Sequence, residues 1–195
     1  MNGDDPDEML AAVYAADGPE ANRSLYARWA ATYETGFVTD RRYGYPEQVV
    51  SVFAEHGLAG VGEGDAVVDV GCGTGLAGVA LRRRAAVAVD GLDISPEMLA
   101  LVPDGTIPVL GDGSRLALPD GSVDALLLIN MFLFPAEADR VVSPDGVVVW
   151  VSSRGPETPI YLAADEVDRA LPGDWDGVAA TAGYGTWSVH WRRST

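Results

Sequence analysis

The chain contains no lysine, and all 13 of its basic residues are arginine. Against 29 acidic residues they leave a formal net charge of −16 over 195 residues. A surface field of this sign repels phosphate backbones and anionic membranes, so we expect no nucleic acid among the partners. The triplet Arg82-Arg-Arg84 is the local exception, and we interpret it as the solvated carboxyl-terminal end of a helix, where cations complement the helix dipole.

Cysteine and histidine are equally scarce. Cys72 is the only cysteine, so an internal disulfide is excluded, and together with His56 and His190 it cannot supply a zinc site. No apolar stretch approaches the ~20 residues of a membrane span, and the first ten residues lack the features of a signal peptide. We therefore expect a cytoplasmic protein without a metal site or a membrane contact.

The composition, with 48% hydrophobic and 22% charged residues, suits one globular domain. We expect residues 1–22, which are acidic and poor in large apolar side chains, to form a mobile tail or a short loose helix. Residues 23–60 predict a helical extension that could cover a ligand. It comprises a helix over Ser24–Glu34, an aromatic loop with Tyr43 and Tyr45, and a second helix over Pro46–His56.

Residues 61–195 alternate short β-rich apolar runs with helical patterns, which is typical of βαβ crossovers and a parallel sheet. Helices are predicted over residues 76–83, 96–101, 136–142 and 163–171. The predicted strands cover residues 66–70, 87–92, 107–110, 123–129, 147–151, 178–182 and 186–192. The last two would form an antiparallel hairpin around Gly183-Tyr-Gly185.

The segment Val67-Val-Asp-Val-Gly-Cys-Gly-Thr-Gly75 is an apolar run that ends in an acid and a glycine loop. Such a loop turns sharply off a strand and lets the backbone approach a ligand closely. Gly73 to Gly78 also satisfies the dinucleotide fingerprint, with Asp93 about twenty residues onward. Asp69 argues against a pyrophosphate there, because a carboxylate would repel it. The further acid at Asp112 and the short chain favour another nucleoside cofactor.

Five blocks in order resemble the class I S-adenosylmethionine (SAM) dependent methyltransferases. They are residues 67–75, 91–99, 111–112, 118–124 and 140–146. The helix at Leu25–Glu34 is similar to the aromatic helix of small-molecule members, including those like the Williams-Beuren-region methyltransferase. The resemblance implies a Rossmann-like, seven-stranded, mostly parallel sheet with helices on both faces and a C-terminal antiparallel hairpin.

The resemblance also implies roles for residues of the cofactor site. Gly71, Gly73 and Gly75 would pass under the methionine part of SAM, and Asp69 would steer its ammonium group. Asp93 would accept hydrogen bonds from both ribose hydroxyls, although it could also cap the following helix with Ser95. Ile94 and Met98 would flank the adenine, and Asp112 would accept a hydrogen bond from its exocyclic amine. The other residues expected against the cofactor are Cys72, Gly113, Asn130 and Tyr26.

Residues 130–135 follow a predicted strand at the position where the family places groups close to the methyl. Met131, Phe132 and Phe134 would line an apolar pocket or belong to the ordinary core. Asn130 and Tyr33 are the catalytic candidates. We expect methyl transfer to oxygen or nitrogen of a small neutral or cationic molecule. The alternatives are SAM chemistry of another kind, such as a cyclase reaction, and a non-catalytic SAM-binding or regulatory module.

Overall fold

A computed structural model describes residues 5–33, 61–85, 87–182 and 185–193. The predicted aromatic loop with Tyr43 and Tyr45 and the predicted helix Pro46–His56 lie outside these residues. None of the described helices is long and apolar enough to cross a bilayer. The same residues contain no cluster of His, Cys, Asp and Glu that could hold a metal ion.

The domain is built on a seven-stranded sheet with the strand order β3-β2-β1-β4-β5-β7-β6. The strands are β1 (Val67–Val70), β2 (Val89–Asp93), β3 (Thr106–Leu110), β4 (Val123–Ile129), β5 (Val142–Ser152), β6 (Trp175–Ala182) and β7 (Gly185–Arg192). Strands β1 to β5 pair in parallel, whereas β7 runs antiparallel to both β5 and β6. The predicted mostly parallel sheet with a C-terminal hairpin is therefore confirmed.

Helices precede the sheet and connect its strands. They are α1 (Pro6–Tyr14), α2 (Pro19–Thr32), α3 (Leu76–Ala85), α4 (Pro96–Leu99), α5 (Pro135–Val141) and α6 (Ala164–Ala170), with a 3-10 turn at Gly155–Glu157. The sequence explains the start of α4, where Pro96 occupies the first turn and the Ser95 hydroxyl accepts a hydrogen bond from the Met98 amide.

The central strands β1 and β4 are buried nearly throughout and are almost continuously apolar, as expected of parallel strands covered on both faces, whereas the edge strand β3 is largely exposed. Val67 and Leu127 belong to one core layer, together with Leu81 of α3. Leu126 belongs to the opposite layer, together with Val141 of α5. Neighbouring residues of one strand therefore pack in opposite layers. These two layers hold the strands, and with them the strand ends, in place.

The amino-terminal segment is a helix, the second of the two alternatives expected for residues 1–22. Met9 and Val13 of α1 are each only 4% exposed and pack with Trp29 of α2. The helix is thus packed rather than loose. The second helix begins at Pro19, before the predicted start at Ser24.

Several strand boundaries differ from the prediction, and one of them bears on the site. Strand β2 extends through Asp93, so this carboxylate belongs to the strand end itself. Strand β5 begins at Val142 instead of Val147 and includes the Pro-Asp-Gly segment at 144–146. Val142 pairs with Val123 of β4, and the next pair joins Val147 to Ala125. The residues between Val142 and Val147 therefore form an irregularity in the pairing of the two strands.

Candidate functional site

A cavity of about 340 Å³ lies at the carboxyl ends of β1, β2 and β4, and helices α1 and α2 contribute its opposite wall. The position follows from the topology. Strand β1 lies between β2 and β4, so the winding of the sheet reverses there and opens a crevice beyond the strand ends. The volume falls within the range of small-molecule sites.

The glycine loop is held against the end of β2. The amides of Gly71 and Cys72 both donate to the carbonyl of Leu92, at 2.7 and 3.1 Å. Gly71 and Gly73 have φ values of 75° and 55°, a region that favours glycine. No atom lies within 4 Å of the position that a Cβ of Gly73 would take, and Gly73 lines the cavity. A ligand can therefore approach the backbone closely at this residue.

Asp93 fixes this loop and also lines the cavity. Its Oδ2 accepts from the Gly73 amide at 2.8 Å, and its Oδ1 accepts from the Ser95 amide at 2.9 Å. Burial raises the pKa of this carboxyl, and the backbone amides act in the opposite direction. The alternative structural role that we considered for Asp93 is therefore present, while Ser95 itself caps the helix. Each carboxylate oxygen keeps a second lone pair for a ligand hydroxyl.

Asp69 is the least compensated group of the site. Its side chain is 2% exposed, and its Oδ1 has no hydrogen-bond partner among the described residues. Burial, and secondly the charge of Asp93, raise its pKa from 3.8 to about 7. A buried carboxylate oxygen without a hydrogen-bond partner is costly, so this position favours a proton or a cationic ligand.

The wall at the end of β3 carries Asp112 and Gly113. The carboxylate of Asp112 accepts from the Ser114 amide at 2.8 Å and keeps its other oxygen available for a ligand. A Cβ at Gly113 would meet Val70, Met131 and Phe134, so the backbone is tightly packed there. Tight packing keeps Asp112 at the rim of the cavity.

Asn130 connects the ends of β4 and β5. Its φ of 49° is the only positive value among the described non-glycine residues. Its backbone N–H donates to the Val151 carbonyl at 2.8 Å, and its side-chain Oδ1 accepts from the backbone N–H of Ser153 at 2.9 Å. These bonds show a structural task for Asn130 beside its place in the cavity wall, which is consistent with strain stored at a site.

Aromatic side chains of α2 form the opposite wall. Tyr26 stacks on Trp29 with ring centroids 6.1 Å apart, and Tyr33 meets Trp29 edge-on at 5.0 Å. All three line the cavity. The aromatic helix predicted over Ser24–Glu34 therefore contributes to the site, and its rings are fixed by mutual contact.

The structure brings nearly all predicted site residues together in this one cavity. The predicted residues that line it are Asp69, Gly71, Cys72, Gly73, Asp93, Ile94, Met98, Asp112, Gly113, Asn130, Tyr26 and Tyr33. Gly75 is the exception, because its missing Cβ would face Val102 and Thr106. Asp90, the other acid of β2, also lies outside the lining. Whether each lining residue binds the cofactor stays a prediction.

Cys72 lines the cavity without being a reactive thiol. Burial, followed by the charges of Asp69 and Asp93, raises its pKa well above the ordinary value. Its Sγ lies 2.9 Å from the position that a Cβ of Gly91 would occupy, so it fills the space between loop and strand. This environment is typical of a small packing residue.

Sequence reasoning missed the contribution of α1 and of Ile160 to the cavity wall. Leu10, Val13 and Tyr14 line the cavity from α1. A signal was available, since Met9, Leu10, Val13 and Tyr14 recur at helical spacing. The acidic residues around this short segment obscured the helical pattern. Nothing in the local sequence around Ile160 indicates its position.

A polar trio outside the cavity, in which His190 and Ser188 are buried and Asp168 is partly exposed, was also missed. His190 Nδ1 lies 2.6 Å from Asp168 Oδ1, and its Nε2 lies 2.7 Å from Ser188 Oγ. Burial lowers the pKa of His190 despite the opposing effect of Asp168, so the ring is neutral. The order of groups is that of a nucleophilic triad. However, His190 is 0% exposed and none of the three lines the cavity, so the trio connects α6 to β7.

The chemistry of the lining fits SAM. The charged side chains in it are Asp69, Asp93 and Asp112, and no arginine or histidine lines it among the described residues. An uncompensated buried carboxylate suits an ammonium group, and carboxylates at the next strand ends suit ribose hydroxyls and an exocyclic amine. A pyrophosphate would meet three like charges.

Fold and site together define a class I SAM-dependent methyltransferase. The chain belongs to this family: residues 68–150 match the family described as "Methyltransferase domain". Methyltransferase-like protein 27 from Homo sapiens is 30% identical over 193 residues, covering 89% of this chain and 77% of that protein. Membership implies the use of SAM as cofactor.

Two further proteins set the limits of the comparison. The 2-methyl-6-phytyl-1,4-hydroquinone methyltransferase of Synechocystis is 29% identical, and the match covers 61% of this chain but only 42% of that enzyme. A Haloferax volcanii methyltransferase, solved in complex with the Trm112 methyltransferase activator, is 21% identical with a TM-score of 0.62. The match covers 87% of this chain and 98% of that one, and it shows the fold alone.

We predict that Asp69 makes the stability of the cofactor-free protein fall as pH rises. Its folded-state pKa of about 7 lies above the ordinary 3.8. A group of this kind contributes its full stability below pH 4 and loses it as pH rises through 7. Urea unfolding from pH 4 to pH 8 should show wild type losing on the order of 2–4 kcal/mol relative to Asp69→Asn.

The matched control is Asp90→Asn on the adjacent strand β2. It changes the net charge by the same amount, but outside the cavity. It should follow the wild-type pH profile. Parallel profiles for wild type and Asp69→Asn would show that Asp69 is not the buried titrating group.

Proposed function

We propose that this protein transfers the methyl group of SAM to an oxygen or nitrogen atom of a small neutral or cationic molecule. The observation that carries this proposal is the composition of one cavity wall by three carboxylates and of the other by aromatic and aliphatic side chains. The first wall suits a cofactor with an ammonium group and hydroxyls. The second leaves room for an acceptor beside it.

The residues that would hold the cofactor follow from the chemistry of their atoms. Oδ1 of Asp69, which lacks a partner among the described residues, would receive the ammonium group. Asp93 would accept from the ribose hydroxyls with the lone pairs that its two backbone contacts leave free. Asp112 would accept from the adenine amine. Ile94 and the buried Met98 would provide apolar contacts.

When bound, SAM supplies a methyl group on a positively charged sulfur. The chain's own contribution is to orient the acceptor and exclude water, and orientation alone can lower a barrier by several kcal/mol. Helices α1 and α2 shield the cavity on the side opposite the strand ends. Tyr33 and Asn130 are the catalytic candidates because both line it, and their polar atoms could position the acceptor or its proton.

Charge supports the choice of acceptor. The carboxylates of the cavity and the net charge of −16 both disfavour an anionic acceptor. The Synechocystis relative is named for a hydroquinone with a phytyl substituent, which is an uncharged molecule. Since the chain spans less than half of that enzyme's length, the name supports the class of acceptor and not its identity.

The proposed function predicts turnover. Incubation of the protein with SAM and a panel of uncharged and cationic amines, phenols and quinols should yield S-adenosylhomocysteine and a methylated product, detected by mass spectrometry. Cofactor binding without any product across the panel would indicate the non-catalytic alternative. A product formed from SAM alone would indicate chemistry other than methyl transfer to a second molecule.

The ribose assignment predicts that Asp93→Ala weakens cofactor binding much more than Asp90→Ala. Charge-assisted hydrogen bonds from two hydroxyls contribute about 1.5–3 kcal/mol, which corresponds to a roughly tenfold to hundredfold loss. Asp90→Ala should change the affinity by less than about 0.5 kcal/mol, because it lies outside the cavity. Calorimetry with S-adenosylhomocysteine measures both.

Because Asp93 also holds Gly73, a loss could arise from a disturbed loop. An S-adenosylhomocysteine analogue without the two ribose hydroxyls separates the causes. It should bind poorly to wild type and lose little more on Asp93→Ala. An equal loss with both ligands would assign Asp93 to the loop alone.

A further inference from the structure

The cavity has an apolar wall that the cofactor assignment does not use. Leu10, Val13 and Tyr14 of α1 line it, together with Phe132 after β4 and Ile160 after the 3-10 turn. These residues come from three separate parts of the chain. None of them is charged, whereas the three carboxylates of the cavity are at the strand ends of the sheet.

The apolar wall is firmly placed at α1 and more accessible at Phe132. Val13 is 4% exposed because it packs with Met9 and Trp29, which fixes the face of α1 that meets the cavity. Phe132 is 42% exposed, so part of its ring is uncovered beside the cavity. A flat apolar ligand inserted beside it would cover this surface.

Tyr14 supplies a hydroxyl in the otherwise apolar wall. Burial raises the pKa of its phenol, and Arg154 acts in the opposite direction. The phenol is therefore neutral near pH 7 and can both donate and accept a hydrogen bond. Arg154 itself is half exposed, lies 3.4 Å from Glu157 and does not line the cavity.

We propose that the wall formed by α1, Phe132 and Ile160 is the acceptor site, and that it selects an uncharged flat ring bearing a hydroxyl, in the manner of a phenol or quinol. This inference rests on the proposed function and narrows its acceptor to one class. Leu10 determines specificity through its contact with the ring. Tyr14 is a positioning residue for the hydroxyl.

The charge state of the ligand tests the class of acceptor. The probes are 2-naphthol, 2-naphthoate and 2-naphthyltrimethylammonium, which share one ring and differ in charge. Calorimetry is performed on protein saturated with S-adenosylhomocysteine, so that the cofactor part of the cavity is filled. We expect 2-naphthol to bind at least about tenfold more tightly than either ion, since a buried ion without a partner is costly. No binding of 2-naphthol, or equal or tighter binding of an ion, would overturn the proposal.

A matched pair of variants tests the site. Leu10→Glu places a charge in the wall, whereas Ala11→Glu places the same charge on the exposed face of the same helix. Leu10→Glu should weaken 2-naphthol binding about tenfold or more, and Ala11→Glu less than twofold. Equal effects would show that α1 does not contact the ring. Circular dichroism and cofactor affinity confirm that both variants fold.

The hydroxyl contact has its own test. Tyr14→Phe should weaken binding of 2-naphthol several-fold and leave that of 2-methoxynaphthalene less affected, because the methoxy group cannot donate to Tyr14. Equal losses for both probes would remove Tyr14 from the proposal.

The outcomes separate this inference from the proposed function. Binding of S-adenosylhomocysteine with no binding of 2-naphthol would overturn the acceptor site and leave methyl transfer to another class of molecule. Loss of S-adenosylhomocysteine binding itself would overturn the function. Methylation confined to charged acceptors would also contradict the inference while supporting the broader function.

Discussion

The rest of the site depends on two buried carboxylates at neighbouring strand ends, Asp69 and Asp93, beside which no cationic side chain of the described residues lines the cavity. Asp69 lies in β1, two residues before the glycine loop. Asp93 is the last residue of β2 and holds that loop through the Gly73 amide. Burial, and secondly the charge of Asp93, both raise the cost of ionising Asp69. A cationic ligand reverses this cost, so the unliganded protein retains an unfavourable electrostatic arrangement that binding relieves.

The fold supplies this arrangement through the reversal of winding at β1. Because β1 lies between β2 and β4, the carboxyl ends of three strands converge beside one crevice. Asp69 of β1 and Asp93 of β2 lie at the strand ends and Asp112 follows β3, while the apolar residues of the strands pack in the two core layers. The antiparallel hairpin β6–β7 contributes to the sheet at the far edge, where His190 and its partners join it to α6.

Sequence reasoning recovered the parts of the site that depend on one strand and the loop that follows it. The apolar run before Asp69, the glycines after it and the acid at the end of β2 are local patterns, and the strand order then brings them together. Gly75 was assigned to the cofactor because it belongs to the same motif, yet its missing Cβ faces Val102. A motif gives the path of the loop but not the side toward which each glycine opens.

Contacts between distant segments could not be predicted in the same way. Asp168 meets His190 because α6 packs beside β7, and no spacing in the sequence encodes that approach. Tyr14 and Ile160 share a cavity wall although 146 positions separate them in the sequence. The early start of β5 at Val142 likewise depends on an irregular pairing with β4, which only the assembled sheet defines.

The most direct test of this account is the number of protons released when S-adenosylhomocysteine binds. Calorimetry near pH 7 in two buffers of different ionisation heat measures it. Wild type should release a substantial fraction of one proton, because the ammonium group of the ligand ionises Asp69. Methylthioadenosine, which lacks that ammonium group, should release far less, and so should S-adenosylhomocysteine on Asp69→Asn. Equal release in all three cases, or none in wild type, would contradict the central claim that Asp69 is the carboxylate that receives the cofactor's ammonium group.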